Sequence, residues 1–217
     1  MSLGNDPVSQ LKPSSAPSPE IIAEVTVSTA SAIVRSKDDP YRVLVADSEK
    51  HPKPVIPGGK VEREDVTSDA KAPGLSCVLR EVKEEVGTEL LNPTYLGKAQ
   101  DPDRDIRLVP AKKVSSAVVE PELPNGVAAD AMVKAHYGCP DYIFVGEVDE
   151  AALTDTEELK GRRFIDIRKI GPGDLSAGHD VILLTYRRML DEGATSFPEE
   201  SLRCFSLERD TFSESRK

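Results

Sequence analysis

The sequence predicts an α/β sandwich with a mixed sheet, and three observations lead to this fold class. Several short β-rich segments are spread along the chain. One helix is predicted among these segments, and a second helix is predicted near the end. Elements in this order bury their apolar surfaces best when the helices cover the faces of a single sheet. The length of 217 residues suits one such domain with additional segments.

The ends of the chain differ in composition from its middle. Residues 1–20 contain Pro13, Pro17 and Pro19 among many serines, which is typical of a flexible leader. After Gly193 the sequence is polar and has little periodicity. We therefore predict a leader over residues 1–20, one domain over 21–193 and a polar tail over 194–217.

The β-rich segments predict the strands of the sheet. Aliphatic and β-branched residues are concentrated in segments bounded by turn residues, as is typical of strands. The predicted strands cover residues 21–27, 32–34, 41–45, 55–56, 94–97, 106–109, 116–119, 142–148 and 164–167. Residues 121–140 are predicted to form a long polar connection with a short helix over 127–136.

Two segments have the periodicity of amphipathic helices. In the first, over 75–86, the apolar residues fall within roughly 100° of the helix circumference and must be buried. These residues are Leu75, Val78, Leu79, Val82 and Val86. The second helix, over 181–190, carries its apolar residues on one side in the same way. They are Ile182, Leu183, Tyr186, Met189 and Leu190.

Composition and charge restrict the functional classes. The net charge of −10 disfavours a polyanion such as DNA as the main ligand, although it allows a small anionic substrate. The sequence contains no run of 18 apolar residues, so it predicts no membrane span. The three cysteines show no CxxC spacing, and their odd number argues against a disulfide framework and favours a reducing, cytoplasmic location. The scattered histidines have no zinc-site spacing, and we place His51 and His136 in loops.

Three glutamates on the first helix are the strongest chemical feature. Glu81, Glu84 and Glu85 fall within roughly 100° of arc, so that their side chains gather beside the buried face. A hard cation such as Mg²⁺ or Mn²⁺ at their focus would remove their mutual repulsion. The alternative is a solvated acidic face, which is common on surface helices. Pro57-Gly58-Gly59 before the helix favours a site, because glycines can turn backbone groups toward a metal and a phosphate.

The glycine turn and the helix together resemble the signature of the Nudix hydrolases. The family pattern is G-x5-E-x7-R-E-U-x-E-E-x-G-U, and the segment from Arg80 to Gly87 matches its second half without a gap. Asp65 stands at the position of the first glutamate, and residues 66–72 are an apparent insertion before the helix. Thr88 replaces the final aliphatic residue. The resemblance extends over about residues 21–192 and implies a Nudix-type α/β/α sandwich.

The resemblance also implies an activity and roles for these residues. A Nudix hydrolase cleaves a pyrophosphate bond by the attack of a water molecule that a metal activates. Glu81, Glu84, Glu85 and the Gly59 carbonyl would hold Mg²⁺ or Mn²⁺. Glu84, Glu85 or a carboxylate from a later loop would take the proton of the water. Arg80 would pair with Glu62, Glu64 or Asp65 and so hold this catalytic group together.

Two further segments concern the substrate. Residues 101–107 are similar to an R-D-P-R stretch of ADP-ribose pyrophosphatases, which implies that Arg104 and Arg107 bind substrate. A charged turn closed by internal ion pairs is the alternative. In the same subfamily a glutamate from a late loop enters the active site, and Glu158 aligns best with it, ahead of Glu157. An exposed acidic loop is the alternative there, and Glu120 and Glu122 are weaker candidates.

Three functions therefore stay open. The first is the hydrolysis of a nucleoside diphosphate derivative, with ADP-ribose as the leading candidate. The second is a nucleoside triphosphate pyrophosphatase, which the same glutamates would serve equally well. The third is a non-catalytic module that binds a nucleotide, and the presence of all three helix glutamates argues against it. Each implies a small nucleotide as partner, and a homodimer is compatible with the sequence.

Overall fold

The computed structural model describes residues 20–66, 74–100, 105–153 and 156–197. Within these residues the chain forms two α-helices and eight strands of one mixed sheet. The strands are β1 (Ile21–Arg35), β2 (Arg42–Ser48), β3 (Gly58–Lys60), β4 (Leu91–Ala99), β5 (Asp105–Pro110), β6 (Val119–Glu120), β7 (Met132–Glu147) and β8 (Leu159–Asp166). The helices are α1 (Leu75–Val86) and α2 (His179–Glu192). The predicted α/β sandwich with a mixed sheet is confirmed.

The two longest strands form the centre of the sheet. β1 and β7 pair in parallel along almost their whole lengths. On its other edge β1 pairs antiparallel with β6, β3 and β2 in turn, and β8 continues the sheet beyond β2. β4 and β5 pair antiparallel with the two halves of β7. The short strand β3 therefore lies beside the middle of β1, and its residues Gly58 and Gly59 belong to the segment 57–59 that is called the glycine turn here.

Alternating side chains of the central strands pack against helices on the two faces of the sheet. Ile33 of β1 belongs to the apolar cluster that α2 covers, whereas its neighbour Val34 belongs to the cluster that α1 covers. This is the period of two expected for a strand that is buried on both faces. The α2 cluster also includes Ile182, Leu183, Tyr186 and Met189. The α1 cluster also includes Val78, Val82, Val86 and Phe144.

A register shift interrupts the pairing of β1 with β7 and divides it into two paired segments within the one sheet. Val27 pairs with Tyr137, but Thr29 pairs with Asp141, so that β7 carries extra residues between these two points. Bulges of this kind bend a strand and redirect the side chains beside them. The Asp141 carboxylate is fully buried there and accepts a hydrogen bond from Ser31 Oγ at 3.0 Å. The break lies next to β3, so it shapes the region around the glycine turn.

Several predicted elements differ from the structure. The predicted helix over 127–136 is wrong, because residues 132–136 belong to β7 and pair in parallel with β1. The partner strand is remote in sequence, so the local pattern could not reveal this pairing. His136 consequently lies in a strand rather than in a loop. Residues 21–27 and 32–34 are one continuous strand, and the strand predicted over 116–119 is shifted to Val119–Glu120.

Some predictions fall outside the part of the chain that the structure describes. These are the leader, most of the insertion over 66–72, Arg104 and most of the tail. The start of the tail packs onto the domain, since Phe197 is buried and its backbone N–H donates to the Leu96 carbonyl at 2.8 Å. Among the residues described, no helix is long and apolar enough to cross a membrane.

Candidate active site

Helix α1 presents its carboxylates at the rim of a cleft because its other side is fixed in the core. Val78, Val82 and Val86 are fully buried against the sheet. Gly87 ends the helix in the left-handed conformation, with φ of 78°, and its N–H donates to the Lys83 carbonyl. A left-handed glycine is the usual way to end a helix. The sequence spacing then leaves the glutamates beside the buried valines, whereas Leu79, which was expected in the buried arc, is 37% exposed.

The cleft has a volume of about 650 Å³ and lies between α1, the glycine turn and the half of the sheet that contains β5. One side, the helical wall, is formed by residues of α1. It consists of Arg80, Glu81, Glu84 and Glu85. A second part of the lining, the strand wall, is formed by residues of β5 and β7. It consists of Asp105, Arg107, Val109 and Tyr137. Thr29, Ser31, Gly58 and Gly59 also line the cleft.

Arg80 connects the helical wall to the segment before the insertion. Its guanidinium donates to Asp65 Oδ2 at 2.9 Å, to Glu81 Oε1 at 2.7 Å and to Glu84 Oε2 at 3.2 Å. Asp65 is 8% exposed and also accepts a hydrogen bond from the Glu62 N–H at 2.9 Å. Asp65 raises the pKa of Arg80 most strongly among its neighbours. Of the three predicted partners of Arg80, the structure therefore selects Asp65.

Glu85 is the most deeply buried carboxylate of the helical wall. It is 8% exposed, and its Oε2 accepts a hydrogen bond from the Gly58 N–H at 2.9 Å. Burial raises the pKa of Glu85 to about 8, and the negative charges of Glu81 and Glu158 act in the same direction. The pKa of Glu81 is also raised, again mainly by burial. Both carboxylates would therefore gain from a nearby cation, which favours their charged forms.

Gly59 lies against Glu81 of the helical wall. A Cβ atom at this position would stand 2.2 Å from Glu81 Oε1, so that a larger residue would require the carboxylate or the backbone to move. Helix α1 also contacts the glycine turn through Cys77. The buried Cys77 thiol lies 3.2 Å from the Lys60 carbonyl oxygen and 3.8 Å from the Gly59 carbonyl oxygen. The sequence predicts that the glycine turn and helix α1 lie near each other, and the structure shows that they are in contact.

The helical wall has the donor set that a hard divalent cation requires. The Glu81 carboxylate lies in the space that a Cβ at Gly59 would fill, Glu84 and Glu85 line the same cleft, and oxygen ligands are those that Mg²⁺ and Mn²⁺ prefer. Within the described ranges, no three acidic, histidine or cysteine side chains already form a metal-binding group. Arg80 contacts Glu81 and Glu84, and the Gly58 N–H contacts Glu85. A cation would have to compete with these contacts.

Glu158 comes to the cleft from the loop before β8. It borders the cleft beside Glu85, and its charge contributes to the raised pKa values of Glu81 and Glu85. Its side chain is 56% exposed and lies 3.8 Å from Lys50 Nζ. The structure thus places Glu158 near the helix glutamates. Glu157, Glu120 and Glu122 do not line the cleft.

Arg107 lies in the strand wall, but it already has partners. It donates to the two carboxylate oxygens of Asp105 at 2.6 and 2.8 Å, and its guanidinium lies 5.0 Å from the centre of the Tyr137 ring. Its position in the cleft fits the predicted role in substrate binding. The pairing with Asp105 also fits the alternative of a charged turn closed by internal ion pairs. Arg104 lies outside the described residues.

Sequence reasoning missed several side chains of the cleft. These are Lys50, His51, Lys60, Lys113, Tyr137 and His179. They come from loops and strands that are far apart along the chain, and none belongs to a recognisable motif. The sequence offered one signal: His51 precedes helix α1 along the chain and His179 follows it. Their spacing matches that of no known metal site. Their convergence on one cleft depends on the sheet topology.

Comparisons with known proteins give one family for the chain. The model of the NUDIX domain family matches residues 25–186. A Nudix hydrolase family member from Chromobacterium violaceum is 17% identical, with 88% of this chain and 95% of that chain covered and a TM-score of 0.49. The NUDIX domain of Shewanella oneidensis NrtR, complexed with ADP ribose, is 12% identical, with coverages of 83% and 94% and a TM-score of 0.45. No curated protein matches the sequence.

Proposed function

Because the chain belongs to the NUDIX domain family and is a Nudix hydrolase, we propose that it hydrolyses the pyrophosphate bond of a nucleoside diphosphate derivative. ADP-ribose is the leading candidate substrate. The proposal concerns the substrate class and the roles of individual residues, whereas the enzyme class follows from the family. A nucleoside triphosphate is the competing substrate class, since the glutamates of the helical wall would serve it equally well.

The observation that carries this proposal is the distribution of charge across the cleft. Glu81, Glu84 and Glu85 line the helical wall beside Arg80, whereas four cationic side chains border the rest of the cleft together with Asp105 and Glu158. The four cations are Lys50, Lys60, Arg107 and Lys113. A diphosphate with a divalent cation has the complementary arrangement, because the cation faces the carboxylates and the phosphate oxygens face the lysines and arginine. A neutral ligand would use neither set of charges.

The residues of the helical wall would hold the metal and orient the substrate. Glu81, Glu84 and Glu85, with the Gly59 carbonyl, would hold Mg²⁺ or Mn²⁺. The ion, when bound, supplies positive charge to the pyrophosphate oxygens and acidifies water. Arg80 keeps Glu81 and Glu84 in place through its contacts with both carboxylates. The hydrogen bond from Gly58 to Glu85 similarly fixes the turn against the helix.

We assign the proton-accepting role to Glu158. Glu81 and Glu84 are engaged by Arg80, and Glu85 is buried against the Gly58 N–H. Glu158 is more than half exposed, and the neighbouring Lys50 is 3.8 Å away, so its carboxylate can reach a water molecule in the cleft. A general base contributes typically a factor of about 10²–10⁴ to the rate. Glu158→Gln should therefore lower kcat by about a hundredfold or more.

The strand wall supports a nucleoside diphosphate derivative as substrate. The Tyr137 ring and the guanidinium of Arg107 are stacked and offer a flat surface for a base or a sugar, beside cations that can contact phosphate. ADP-ribose would place two phosphates between the walls and a nonreacting group on each side. Binding energy from such remote groups can be used to orient the reacting bond.

A comparison of nucleotides tests the proposal directly. The protein is incubated with Mg²⁺ and ADP-ribose, other nucleoside diphosphate derivatives and the canonical triphosphates, and the products are separated by chromatography. We expect ADP-ribose to give AMP and ribose 5-phosphate with the highest kcat/KM. A higher value for a triphosphate would reject ADP-ribose but would leave the hydrolase class intact. Absence of metal-dependent hydrolysis across the whole panel would reject the proposed function.

A further inference from the structure

Lys113 differs from the other lysines and arginines of the cleft in having no carboxylate partner among the residues that the structure describes. Each of the other four is paired with an acidic side chain. The pairs are Lys50 with Glu158, Lys60 with Glu62, Arg80 with Asp65 and Arg107 with Asp105. A carboxylate partner reduces the attraction that a cation exerts on a second anion, because the two negative charges repel each other. Lys113 therefore offers its whole charge to a ligand.

The backbone at Lys113 is held in place, although its side chain is exposed. Lys113 is the last residue of a short 3₁₀ turn, Ala111–Lys113, which follows β5. Ala111 and Val114 on either side of the two lysines of this turn are buried. In addition, Lys60 Nζ donates to the Lys113 carbonyl at 3.1 Å. The side chain of Lys113 thus begins at a fixed point on the border of the cleft.

Lys113 lies away from the end of the cleft to which Glu158 adds negative charge. A side pocket of about 100 Å³ marks that end, and its lining includes Glu85 and Glu158. Both Lys60 and Lys113 line the cleft, but neither of them lines this side pocket. Lys60 directly follows Gly59 and contacts the Lys113 carbonyl, so the two lysines lie together on one side of the glycine turn. An anion at Lys113 would face these lysines.

We propose that Lys113 binds the diphosphate group of the substrate on the Lys60 side of the glycine turn and strengthens the affinity of the cleft for highly charged ligands. This inference rests on the proposed function, since it requires a phosphorylated substrate. The lysine ammonium is a compact charge with three donors, so it can serve oxygens of either phosphate. Glu62 does not oppose this binding, because it is paired with Lys60 and does not line the cleft.

Lys112 and Lys113 allow a matched comparison. Lys112 belongs to the same turn and is also exposed, but it does not line the cleft. Lys113→Gln and Lys112→Gln remove the same charge from neighbouring positions, so a difference between them reports the position of the charge rather than the net charge. Lys113→Arg retains the charge and tests whether binding recovers. Because both lysines are exposed, these substitutions should leave the Tm close to that of the wild type.

The experiment measures binding and turnover in the full chain with Mg²⁺. The binding probe is methylenebisphosphonate, which has the shape of a diphosphate and no cleavable bridge, and its Kd is measured by calorimetry at low and at high ionic strength. We expect Lys113→Gln to raise Kd about fivefold at low ionic strength, and Lys112→Gln and Lys113→Arg to stay within about twofold of the wild type. The fivefold difference should shrink at high ionic strength, because salt screens exposed charges. In turnover, the effect should appear in KM rather than in kcat.

Each outcome decides the inference. A raised Kd in Lys113→Gln but not in Lys112→Gln, with recovery in Lys113→Arg, supports it. Equal Kd values in the wild type and Lys113→Gln overturn it, as does an equal rise in both glutamine variants or a wild type that does not bind the bisphosphonate. If Lys113→Gln alone binds weakly while the wild type hydrolyses no nucleotide, the inference stands and the proposed function fails. If the wild type hydrolyses a nucleotide and all Kd values are equal, the reverse holds.

Discussion

The two walls of the cleft each carry an arginine paired with acidic side chains, yet they are built in different ways. Arg80 contacts two glutamates of its own helix and Asp65, which lies before the insertion. Arg107 contacts Asp105 on its own strand and stacks over Tyr137 of the neighbouring strand. The helical wall is thus defined by spacing within one helix, whereas the strand wall depends on the register of two strands. A local motif can therefore specify the positions of side chains in the helical wall, whereas those in the strand wall are specified only when the sheet has folded.

The largest effect is expected from neutralising the helical wall at Glu85. Glu85→Gln should lower kcat with Mg²⁺ by roughly a hundredfold or more, because an amide is a poor ligand for a hard cation. The fold should persist, since Gln can still accept the hydrogen bond from the Gly58 N–H and since the lost charge was buried. Steady-state kinetics and thermal melting test both parts. Glu84→Gln should act in the same direction.

The matched control for these two variants is Lys83→Gln. Lys83 lies between the glutamates in sequence, but its side chain is 70% exposed and does not line the cleft. It should leave kcat within about twofold, as expected for a surface substitution. Metal-dependent activity close to that of the wild type in both glutamate variants would contradict the assignment of the helical wall as the metal site.

A smaller effect is expected when the glycine turn is pushed away from the helix. Gly59→Ala places a methyl group 2.2 Å from the present position of Glu81 Oε1, so the carboxylate or the turn must move. Displacements near 1 Å at a reacting centre can cost about a hundredfold in rate, and we expect a loss of roughly tenfold to a hundredfold in kcat.

Gly126→Ala is the control for this substitution, because a Cβ at Gly126 meets no atom within 4 Å. Its φ of 80° makes the substitution strained, so it should lower the free energy of unfolding by about 1 kcal/mol and leave kcat unchanged. If the two alanine variants had equal kcat values, the close contact between the glycine turn and Glu81 would have no catalytic significance.

The third prediction concerns stability and separates Arg80 from an ordinary surface arginine. Arg80→Ala leaves the buried Asp65 carboxylate without its cation. Breaking a buried ion pair costs about 3–5 kcal/mol, and partial exposure of Arg80 should reduce the loss to about 2 kcal/mol. Urea denaturation measures it. Arg163→Ala removes an exposed pair with Asp47 and should cost less than about 1 kcal/mol, so equal losses would refute the anchoring role of Arg80.

The sequence predicted the helical wall well for a physical reason. The positions of Glu81, Glu84 and Glu85 relative to Val78 and Val82 follow from the helix period alone, and the glycine turn lay in the same recognisable pattern. The sequence restricts the partner of Arg80 to Glu62, Glu64 or Asp65 but does not choose among them. The reason is that the insertion separates these three residues from the helix. Asp65 is selected by its burial and by its contact with the Glu62 N–H.

The strand wall could not be predicted to the same degree. The sequence predicts a short helix over 127–136, but residues 132–136 form the start of β7, which pairs with β1 and β5. Tyr137 enters the cleft only because of this pairing, with Asp105 as its partner in β5. His179 likewise arrives through α2, far along the chain. Contacts between remote segments determine these positions, and single-sequence patterns do not contain them.

The smallest effect is expected at Arg107, and it tests whether the strand wall binds substrate. Arg107→Ala removes a cation from the cleft and exposes the Asp105 carboxylate to the substrate phosphates. Because Arg107 is already paired with Asp105 and is 38% exposed, we expect KM to rise only about fivefold, with kcat nearly unchanged. Asp105→Asn should have the opposite effect and lower KM, since it leaves the positive charge of Arg107 available to phosphate. The KM of the double variant should lie between those of the single variants, because the two residues interact directly and their effects are not additive.

If the strand wall only stabilises β5, the outcome is different. Both single variants would then lower the Tm by similar amounts, and KM would stay constant. Kinetics and melting on the same three variants therefore decide whether the pairing of Arg107 with Asp105 regulates the charge offered to the substrate or only supports the strand.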